Sequence, residues 1–284
     1  MTRRLLLASV VAIYLFLLAP LLIVVAVSFD PTDAFRFPPR GVSLRWYAAF
    51  FASETFVRAF FQVSLGVSLR WYAAFFASET FVRAFFRVSL VLALAVSVLA
   101  TAVGGLAAIG LVRFLARGRA LVETLFLTPL VVPEILLGAA LFLYYSRLKL
   151  ATSIAGLVLA HLLLAIPYVV RTVAAGLAGV DRSLEEAAMS LGASRRQAFW
   201  KVTLPLIRSS LLSAAIFAFI VSFSDINVAL FVTGPDTVTL PVHVFSQIVW
   251  QADPTIAAAS TLQIVLIAAL LGVAQRAFRL RVTV

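Results

Sequence analysis

DRSLEEAAMSLGASRRQAFWKVTLPLI, residues 181–207, is a polar segment that lies between two long apolar runs. Ser183–Glu186 and Ser194–Gln197 both fit the capping-box pattern, in which two side chains satisfy free N–H groups at a helix start. Gly192 lies between them and allows the left-handed backbone that commonly ends a helix. The segment therefore predicts two short helices joined by a hinge, the second running towards Leu204-Pro205.

The first of these helices carries apolar residues on one face, at the spacing that a helical turn requires. They are Leu184, Ala187, Ala188 and Leu191. An apolar helix face on a surface loop needs a partner, which is either the chain's own helices or another protein.

The apolar runs on both sides of this segment predict membrane-spanning helices. Hydrophobic residues make up 63% of the 284 residues, charged residues only 12%, and the mean hydropathy is +1.09. A soluble domain carries about twice that charged fraction, whereas long runs with few charges are typical of membrane spans. We predict an all-α, polytopic membrane protein with a single domain over residues 1–284. Its six spans are residues 5–28, 88–112, 121–145, 153–173, 210–232 and 256–275.

The first run resembles a secretory signal peptide because Arg3 and Arg4 precede it and Ala26-Val27-Ser28 fits a cleavage site. Its 24 residues exceed the apolar core of a signal peptide, which needs only about 7–15. We therefore interpret it as an uncleaved first helix.

The positive residues predict how the spans are oriented. Fourteen of the 23 lysines and arginines lie at the N-terminus or after an even-numbered span, which places them on one side of the membrane. Since Lys and Arg accumulate in cytoplasmic loops, both termini are predicted to face the cytoplasm. The net charge of +11 is explained by this topology, without a nucleic-acid partner. The first outer loop, residues 29–87, is the exception because it holds seven arginines.

That outer loop contains a tandem repeat. Residues 41–65 and 66–90 differ only at Gln62 and Arg87. Each copy predicts a short amphipathic helix, rich in aromatic residues, of the kind that lies in the membrane interface. Glu54–Arg58, and Glu79–Arg83 in the second copy, have the spacing of an i,i+4 ion pair. Only the second copy continues directly into a span, so the first copy is interpreted as a tolerated surplus.

Two acidic residues, Glu134 and Asp225, lie within predicted spans. A charge inside the bilayer is costly and usually faces a cavity, a partner or a solute path. Pro133-Glu134 also fits the opening of a helix segment, with the carboxylate held by free N–H groups, and both interpretations stay open. Asp225 has possible local partners in Ser222, Ser224 and Asn227, although its apolar surroundings favour a place on the solute path. His161, a lone span histidine, predicts a hydrogen bond between helices and no ligand role.

Several kinds of chemistry have no sequence signal. The chain has no cysteine and two distant histidines, which argues against a metal site or a metalloenzyme. No Walker A, H-E-x-x-H or G-x-S-x-G pattern is present, so neither ATP binding by that route nor hydrolase chemistry is predicted.

The segment quoted first also resembles a known family. Glu186-Ala187-Ala188, then Gly192, then Val202-Thr203-Leu204-Pro205 looks like the EAA loop of binding-protein-dependent ABC importer permeases, with Val202 where the family has isoleucine. Within that family, Phe231–Pro235 and Leu240-Pro241 after Asp225 look most like the second permease subunit of spermidine/putrescine systems. The tandem repeat is not part of the family pattern.

The resemblance implies a non-catalytic permease of the type I importer fold in the inner membrane. It implies four partners: a cytoplasmic ATPase that binds the ATP, a second permease subunit, an external solute-binding protein and the lipid bilayer. The chain itself would need no cofactor. Residues 181–208 would be the coupling loop, and Glu134 and Asp225 the candidates for the solute pathway. The residues expected to dock the ATPase are Leu184, Glu186, Ala187, Ala188, Leu191, Gly192, Leu204 and Pro205.

A polyamine is the expected solute, and iron or thiamine are the alternatives that related permeases suggest. A secondary transporter driven by an ion gradient would show inverted repeats and paired buried ionisable groups, and neither is visible. An intramembrane enzyme would need more than Glu134 and Asp225 on separate spans.

Overall fold

A computed structural model describes Phe29 and residues 41–53, 69–114, 118–250 and 255–279. Every regular element in these ranges is a helix. The chain divides into two compact units, residues 1–67 and 68–284. The predicted span over residues 5–28 lies outside the described residues.

The first unit contains the start of the first repeat copy, in which helix α1 spans Arg45–Ala52. The Ser43 hydroxyl accepts a hydrogen bond from the Arg45 N–H at 3.1 Å, and the Ser43 N–H donates to the Phe29 carbonyl. The Tyr47 ring lies 5.4 Å from the Phe29 ring. The predicted helix is confirmed at this end of the copy, whereas Glu54 and Arg58 lie outside the described residues.

The second copy is built into the body of the second unit. Helix α2 spans Leu69–Ala77, and the Ser78 hydroxyl then caps a long helix, α3, over Glu79–Phe114. Phe75 is fully buried among phenylalanines of α3, so this copy packs against protein. The predicted ion pair Glu79–Arg83 is wrong, because the Arg83 guanidinium donates to Asp236 Oδ1 at 2.7 Å.

Helices α3 to α11 follow in chain order through the second unit. They are α3 Glu79–Phe114, α4 Arg119–Val131, α5 Glu134–Arg147, α6 Ile154–Ala178, α7 Ser183–Ser190, α8 Arg195–Ser224, α9 Ala229–Val232, α10 Leu240–Trp250 and α11 Thr255–Arg279.

Four stretches of the described residues are long and apolar enough to cross a membrane, and each overlaps one of the predicted spans. They are Glu79–Phe114, Ile154–Ala178, Arg195–Ser224 and Thr255–Val273. The predicted span 121–145 is instead a broken pair, α4 and α5, whose axes differ by 95°. The break follows Pro129 and lies at Pro133, which cannot continue the hydrogen-bond ladder of α4.

Three of these helices, α3, α6 and α8, form the centre of the core. Gly104 of α3 allows close approach to α6, because a Cβ added there would lie 2.8 Å from Val169 Cγ1. The Ser97 hydroxyl donates to the Ala215 carbonyl of α8 at 2.7 Å. Small residues and interhelical hydrogen bonds of this kind hold helices together where lipid removes the hydrophobic driving force.

Helix α8 corrects two expectations. It begins at Arg195, so the second helix of the polar segment is the start of a membrane helix and is not a short separate one. Pro205 does not end it, because the turn Phe199–Thr203 before the proline is π-helical and loosens the backbone there. The predicted span 210–232 is also wrong at its far end, since α8 stops at Ser224 and Asp225 is extended.

Candidate functional site

The polar segment begins with a cap different from the predicted one. The Asp181 carboxylate accepts the Ser183 N–H at 2.9 Å, and Arg182 precedes α7 in a helical conformation. The Ser183 side chain makes no cap hydrogen bond, so the first capping box is wrong. The hydrogen bonds from Ser183 lower the pKa of the Asp181 carboxyl. The Asp181 carboxylate therefore satisfies one free N–H group at the start of α7, that of Ser183, while the Glu186 N–H donates to the Arg182 carbonyl.

The hinge after α7 follows the prediction. Gly192 has φ +91°, and the Ala193 N–H closes the turn onto the Ala188 carbonyl at 3.1 Å. The Ser194 hydroxyl accepts from the Gln197 N–H, and the Gln197 side chain accepts from the Ser194 N–H. The second capping box is confirmed.

The apolar face of α7 is open. Leu184 is 47% exposed and Leu191 is 90% exposed, while Ala187 is exposed and Ala188 half-buried. Glu186 and Gly192 are also exposed, so six of the eight expected docking residues lie together on α7 and its hinge. Leu204 and Pro205 lie apart from them on α8, beyond its π-helical turn. The helices that the structure describes therefore leave this face uncovered.

The opposite side of α7 is tied to the ends of two spans. Arg113, at the end of α3, places Nη2 2.9 Å from Glu185 Oε1. The Thr203 hydroxyl of α8 donates to the same carboxylate oxygen. Glu185 thus joins α7 to α3 and to α8 at once.

A second contact strengthens this attachment. The Arg182 guanidinium donates to the Val112 carbonyl at the end of α3, at 3.0 Å. The sequence analysis missed Glu185 and Arg113. The available signals were that Glu185 adjoins the EAA residues and that Thr203 belongs to the Val202–Pro205 motif.

Glu134 opens α5 at the break in the third span. Pro133 precedes the helix with φ −54° and ψ 124°, and Glu134 is its first residue, so the helix-opening interpretation is confirmed. Its carboxylate accepts from the Asn227 side-chain amide at 2.7 Å, and Glu134 is exposed. The carboxylate is thus bound by a residue distant in sequence, and the expected bond to first-turn N–H groups is not the one that forms.

Asp225 lies just after α8 and is 8% exposed. Its carboxylate accepts the Ala229 N–H at 2.8 Å and the Val228 N–H at 3.4 Å. These bonds begin α9, so the local partners of Asp225 are backbone N–H groups and not the three side chains considered above. An Asp side chain that binds the following backbone commonly competes with helix continuation.

His161 of α6 faces Asp225 from inside the core. It is fully buried, its Nδ1 lies 2.9 Å from the Ser222 hydroxyl, and its Nε2 lies 3.6 Å from Asp225 Oδ2. The predicted interhelical hydrogen bond is confirmed. Helix α5 also lies close to this region, because a Cβ added at Gly138 would lie 3.1 Å from the Asn227 carbonyl oxygen. Glu134, Asn227 and Asp225 therefore belong to one polar region between helices.

Comparison with known proteins identifies the family of the chain. Residues 100–284 match the family described as binding-protein-dependent transport system inner membrane components. The chain belongs to this family. It is a permease subunit of an ABC importer, and the predicted all-α importer fold is confirmed. The count of six spans stays a prediction, because the described residues hold four such helices, or five if the bent pair α4 and α5 is one span, and the first predicted span lies outside them.

The permease is similar to curated proteins along most of its length. It is 29% identical over 268 residues to the spermidine/putrescine transport system permease protein PotC of Haemophilus influenzae, covering 94% of each chain. It is 31% identical over 256 residues to the putrescine transport system permease protein PotI of Escherichia coli K12, covering 88% of this chain and 82% of that one.

One solved structure of similar fold is a bacterial ABC transporter involved in the import of the acidic polysaccharide alginate. The permease matches it with a TM-score of 0.61 and 16% identity, over 85% of this chain and 94% of that one. A second is a bacterial alginate ABC transporter in complex with a pentasaccharide-bound periplasmic protein, at a TM-score of 0.61 and 17% identity, over 81% and 90% of the two chains. At this identity the likeness concerns the fold alone.

Proposed function

We propose that this permease imports a polyamine such as spermidine or putrescine, using ATP hydrolysed by a cytoplasmic partner. A second permease subunit completes the pore, and an external solute-binding protein delivers the solute. The observation that carries the solute class is the similarity to PotC and PotI, which extends over most of each chain. Two carboxylates close to a broken span are compatible with a cationic solute, since acidic residues within membrane segments commonly mark ion pathways.

Docking of the ATPase is assigned to the exposed face of α7. Leu184 and Leu191 present apolar surface that the chain's own described helices leave uncovered. An amphipathic helix of this kind buries its apolar face in a hydrophobic groove of a partner. The same surface is extended by Glu186, Ala187, Ala188 and Gly192. Leu204 and Pro205 contribute indirectly, because they follow the π-helical turn of α8.

Coupling follows from the way α7 is attached. Because Glu185 joins α7 to Arg113 of α3 and to Thr203 of α8, a displacement of α7 is transmitted to both spans. ATP binding would draw two such permease loops together and favour the outward-open arrangement, and hydrolysis would reset it. The driving force is the difference in ATP affinity between the two arrangements.

The pathway is assigned to Glu134 and Asp225. Glu134 is exposed at the 95° break, where broken helices commonly line a transport cavity. Asp225 lies behind it, next to His161. An ammonium group passing Glu134 would displace the Asn227 amide and gain a charged partner in its place.

Stimulation of ATP hydrolysis by the solute tests this proposal. The complex of the permease with its ATPase, second permease and binding protein is reconstituted in vesicles, and spermidine, putrescine, thiamine and iron(III) are titrated separately. Stimulation by the polyamines alone supports the proposal. Hydrolysis that responds to thiamine or iron would support an ATP-driven importer and contradict the polyamine assignment. A pure complex that transports on an ion gradient without hydrolysis would contradict both the ATP-driven mechanism and the polyamine assignment.

Orientation has a separate test, because the chain contains no cysteine. We propose that both termini and α7 face the cytoplasm. Single variants Ser190→Cys on α7 and Pro235→Cys in the loop after α9 offer exposed labelling sites. In intact cells an impermeant maleimide should label Pro235→Cys and spare Ser190→Cys. The reverse pattern would show that the topology is inverted.

A further inference from the structure

A basic cleft lies where the inner ends of α3 and α8 meet α7. Its volume is about 440 Å³. Residues of all three helices line it, and its charged lining residues are Arg113, Arg182, Glu185, Glu186, Arg195 and Arg196. Glu186 is the single lining residue that is also assigned to ATPase docking, and neither Glu134 nor Asp225 of the proposed solute pathway lines this cleft.

Positive charge dominates the lining. Four arginines face two glutamates, and one of these, Glu185, is already bound by Arg113 and Thr203. Arg195 and Arg196 are exposed, and neither forms an ion pair with any residue that the structure describes. The cleft therefore holds an excess of cationic donors.

Arg113 adds an unsatisfied group to the wall of the cleft. Its side chain is only 9% exposed. Within the described part of the chain, its buried Nε and Nη2 have no hydrogen-bond acceptor of good geometry, although Nη2 lies in ion-pair range of Glu185. A guanidinium has five N–H donors and no acceptor, so a group that supplies several acceptor oxygens suits it best.

The position of the cleft indicates which anion it takes. It lies at the ends of two helices that are apolar enough to span a membrane, which places it at the bilayer surface. Phe114 is 78% exposed there, and Ile109, Met189 and Phe199 give the cleft an apolar side. Basic pockets between membrane helices on the cytoplasmic side bind lipid headgroups. We propose that this cleft binds the phosphate headgroup of an anionic phospholipid, with the acyl chains beside Phe114.

The phosphate lies between Arg113 at the base of the cleft and Arg195 and Arg196 at its rim. Arg182 is directed to the Val112 carbonyl and closes the side next to α3. A bound lipid stabilises the junction of α7 with the two spans, because it compensates charges that the protein leaves uncompensated.

The test uses the full chain in nanodiscs without the ATPase, so that its outcome does not depend on docking. Phosphatidylcholine discs receive increasing fractions of phosphatidylglycerol at constant ionic strength, and the thermal unfolding midpoint and the lipids retained in native mass spectrometry are measured. We expect phosphatidylglycerol to raise the midpoint and to be retained selectively. In the double variant Arg195→Gln/Arg196→Gln, the same rise of the unfolding midpoint should require more phosphatidylglycerol, by a factor of roughly five for each arginine removed.

Arg208→Gln is the matched control, because Arg208 lies exposed on the same helix and does not line the cleft. It should respond to phosphatidylglycerol like the unmodified chain. An equal loss in Arg208→Gln would show a diffuse surface-charge effect and overturn the site. Equal stabilisation by inorganic phosphate in pure phosphatidylcholine would show a site for free phosphate and overturn the lipid assignment, as would indifference to phosphatidylglycerol.

Discussion

Glu185 and Glu186 are neighbours with opposite environments. Glu185 points to Arg113 and Thr203, whereas Glu186 is exposed beside the apolar face of α7. The EAA motif includes Glu186, the exposed residue, and does not include Glu185. Glu185, which points inward, attaches α7 to α3 and α8.

Replacing Glu185 should lower the stability of the permease without altering the exposed surface that is proposed to dock the ATPase. In Glu185→Gln the nearly buried Arg113 loses its counter-charge, and we expect the free energy of unfolding to fall by about 1–3 kcal/mol. ATP hydrolysis should also respond less to the solute, since α7 is then less firmly joined to α3 and α8. Thermal unfolding and solute-stimulated hydrolysis are the measurements.

Glu186→Gln is the matched control for that variant. It should change stability by less than about 0.5 kcal/mol, because Glu186 is exposed, while weakening co-purification of the ATPase. If both variants unfold at the same temperature as the unmodified chain, Glu185 does not carry the attachment.

Gly192 is required for its backbone and not for space. It has φ +91°, and nothing lies within 4 Å of a Cβ added there. Gly192→Ala should therefore cost about 1–2 kcal/mol through backbone strain alone. Gly110→Ala is the control, since Gly110 also has open space but lies in a helix at φ −55°. Thermal unfolding should show Gly110→Ala neutral or slightly stabilised. Similar losses in both variants would contradict the argument.

The elements show where the sequence was sufficient. Long apolar runs located α3, α6 and α11, and local hydrogen-bonding chemistry located Gly192 and the Ser194–Gln197 box. The polar segment predicted a short second helix running towards Leu204-Pro205, whereas a π-helical turn before Pro205 allows α8 to continue through it. Asp225 was placed inside a span because its neighbours are apolar, yet its carboxylate bonds the backbone that follows.

Contacts between distant parts of the chain could not be predicted from the sequence. Periodicity reports which face of a helix is apolar, and it does not say which residue of another helix an acidic side chain meets. Glu185 with Arg113 joins two helices, and Glu134 with Asn227 joins α5 to the turn before α9. Of the candidate site, the exposed α7 surface was therefore predictable, and its attachment to the spans was not.

The packing of α3 on α6 depends on one of two adjacent glycines. A Cβ at Gly104 would lie 2.8 Å from Val169 Cγ1, whereas one at Gly105 would lie 3.4 Å from a Leu211 methyl group. Gly104→Ala should destabilise the protein by about 1–3 kcal/mol through overpacking, and Gly105→Ala should do so less. Thermal unfolding of both, and of Gly104→Ala/Val169→Ala, measures this. If removing the Val169 side chain restores no stability, the close approach is not the cause.

For the molecule as a whole, the tandem repeat is the feature that separates this permease from its family pattern. The same eight residues form a helix in both copies, at Arg45–Ala52 and at Arg70–Ala77. The second copy supplies buried residues of a core cluster, including Phe75 and Phe85. Deleting residues 41–65 and deleting residues 66–90 produce chains that differ only by arginine or glutamine at one position.

We expect both deletion chains to assemble. The remaining copy precedes α3 directly in each case and provides the same phenylalanines. Co-purification of the ATPase and solute-stimulated hydrolysis should be retained in both. Loss of assembly in both would show that the additional copy is required, contrary to its interpretation as surplus.

Transport itself should depend on the pathway acids. Asp225→Asn and Glu134→Gln should each lower uptake of a polyamine by roughly tenfold or more, if each carboxylate contributes about 1.4 kcal/mol or more to the passage of the cation. Asp236→Asn is the control, because Asp236 is an exposed acid that pairs with Arg83 outside this region. Uptake by vesicles containing equal amounts of complex is the measurement, and unchanged uptake in both pathway variants would remove the assignment.

The C-terminal end of α8 at Ser224 attracts cations through its backbone carbonyl groups, and no side-chain substitution removes these groups. The last four carbonyls of a helix have no partner within it, and together they carry about half a negative charge. One of them, at Phe223, accepts from the Gln263 amide. Asp225 directly follows this helix, so the negative pole of the helix macrodipole lies next to that residue. A permease without the Asp225 charge should therefore keep a residual preference for cations over neutral solutes.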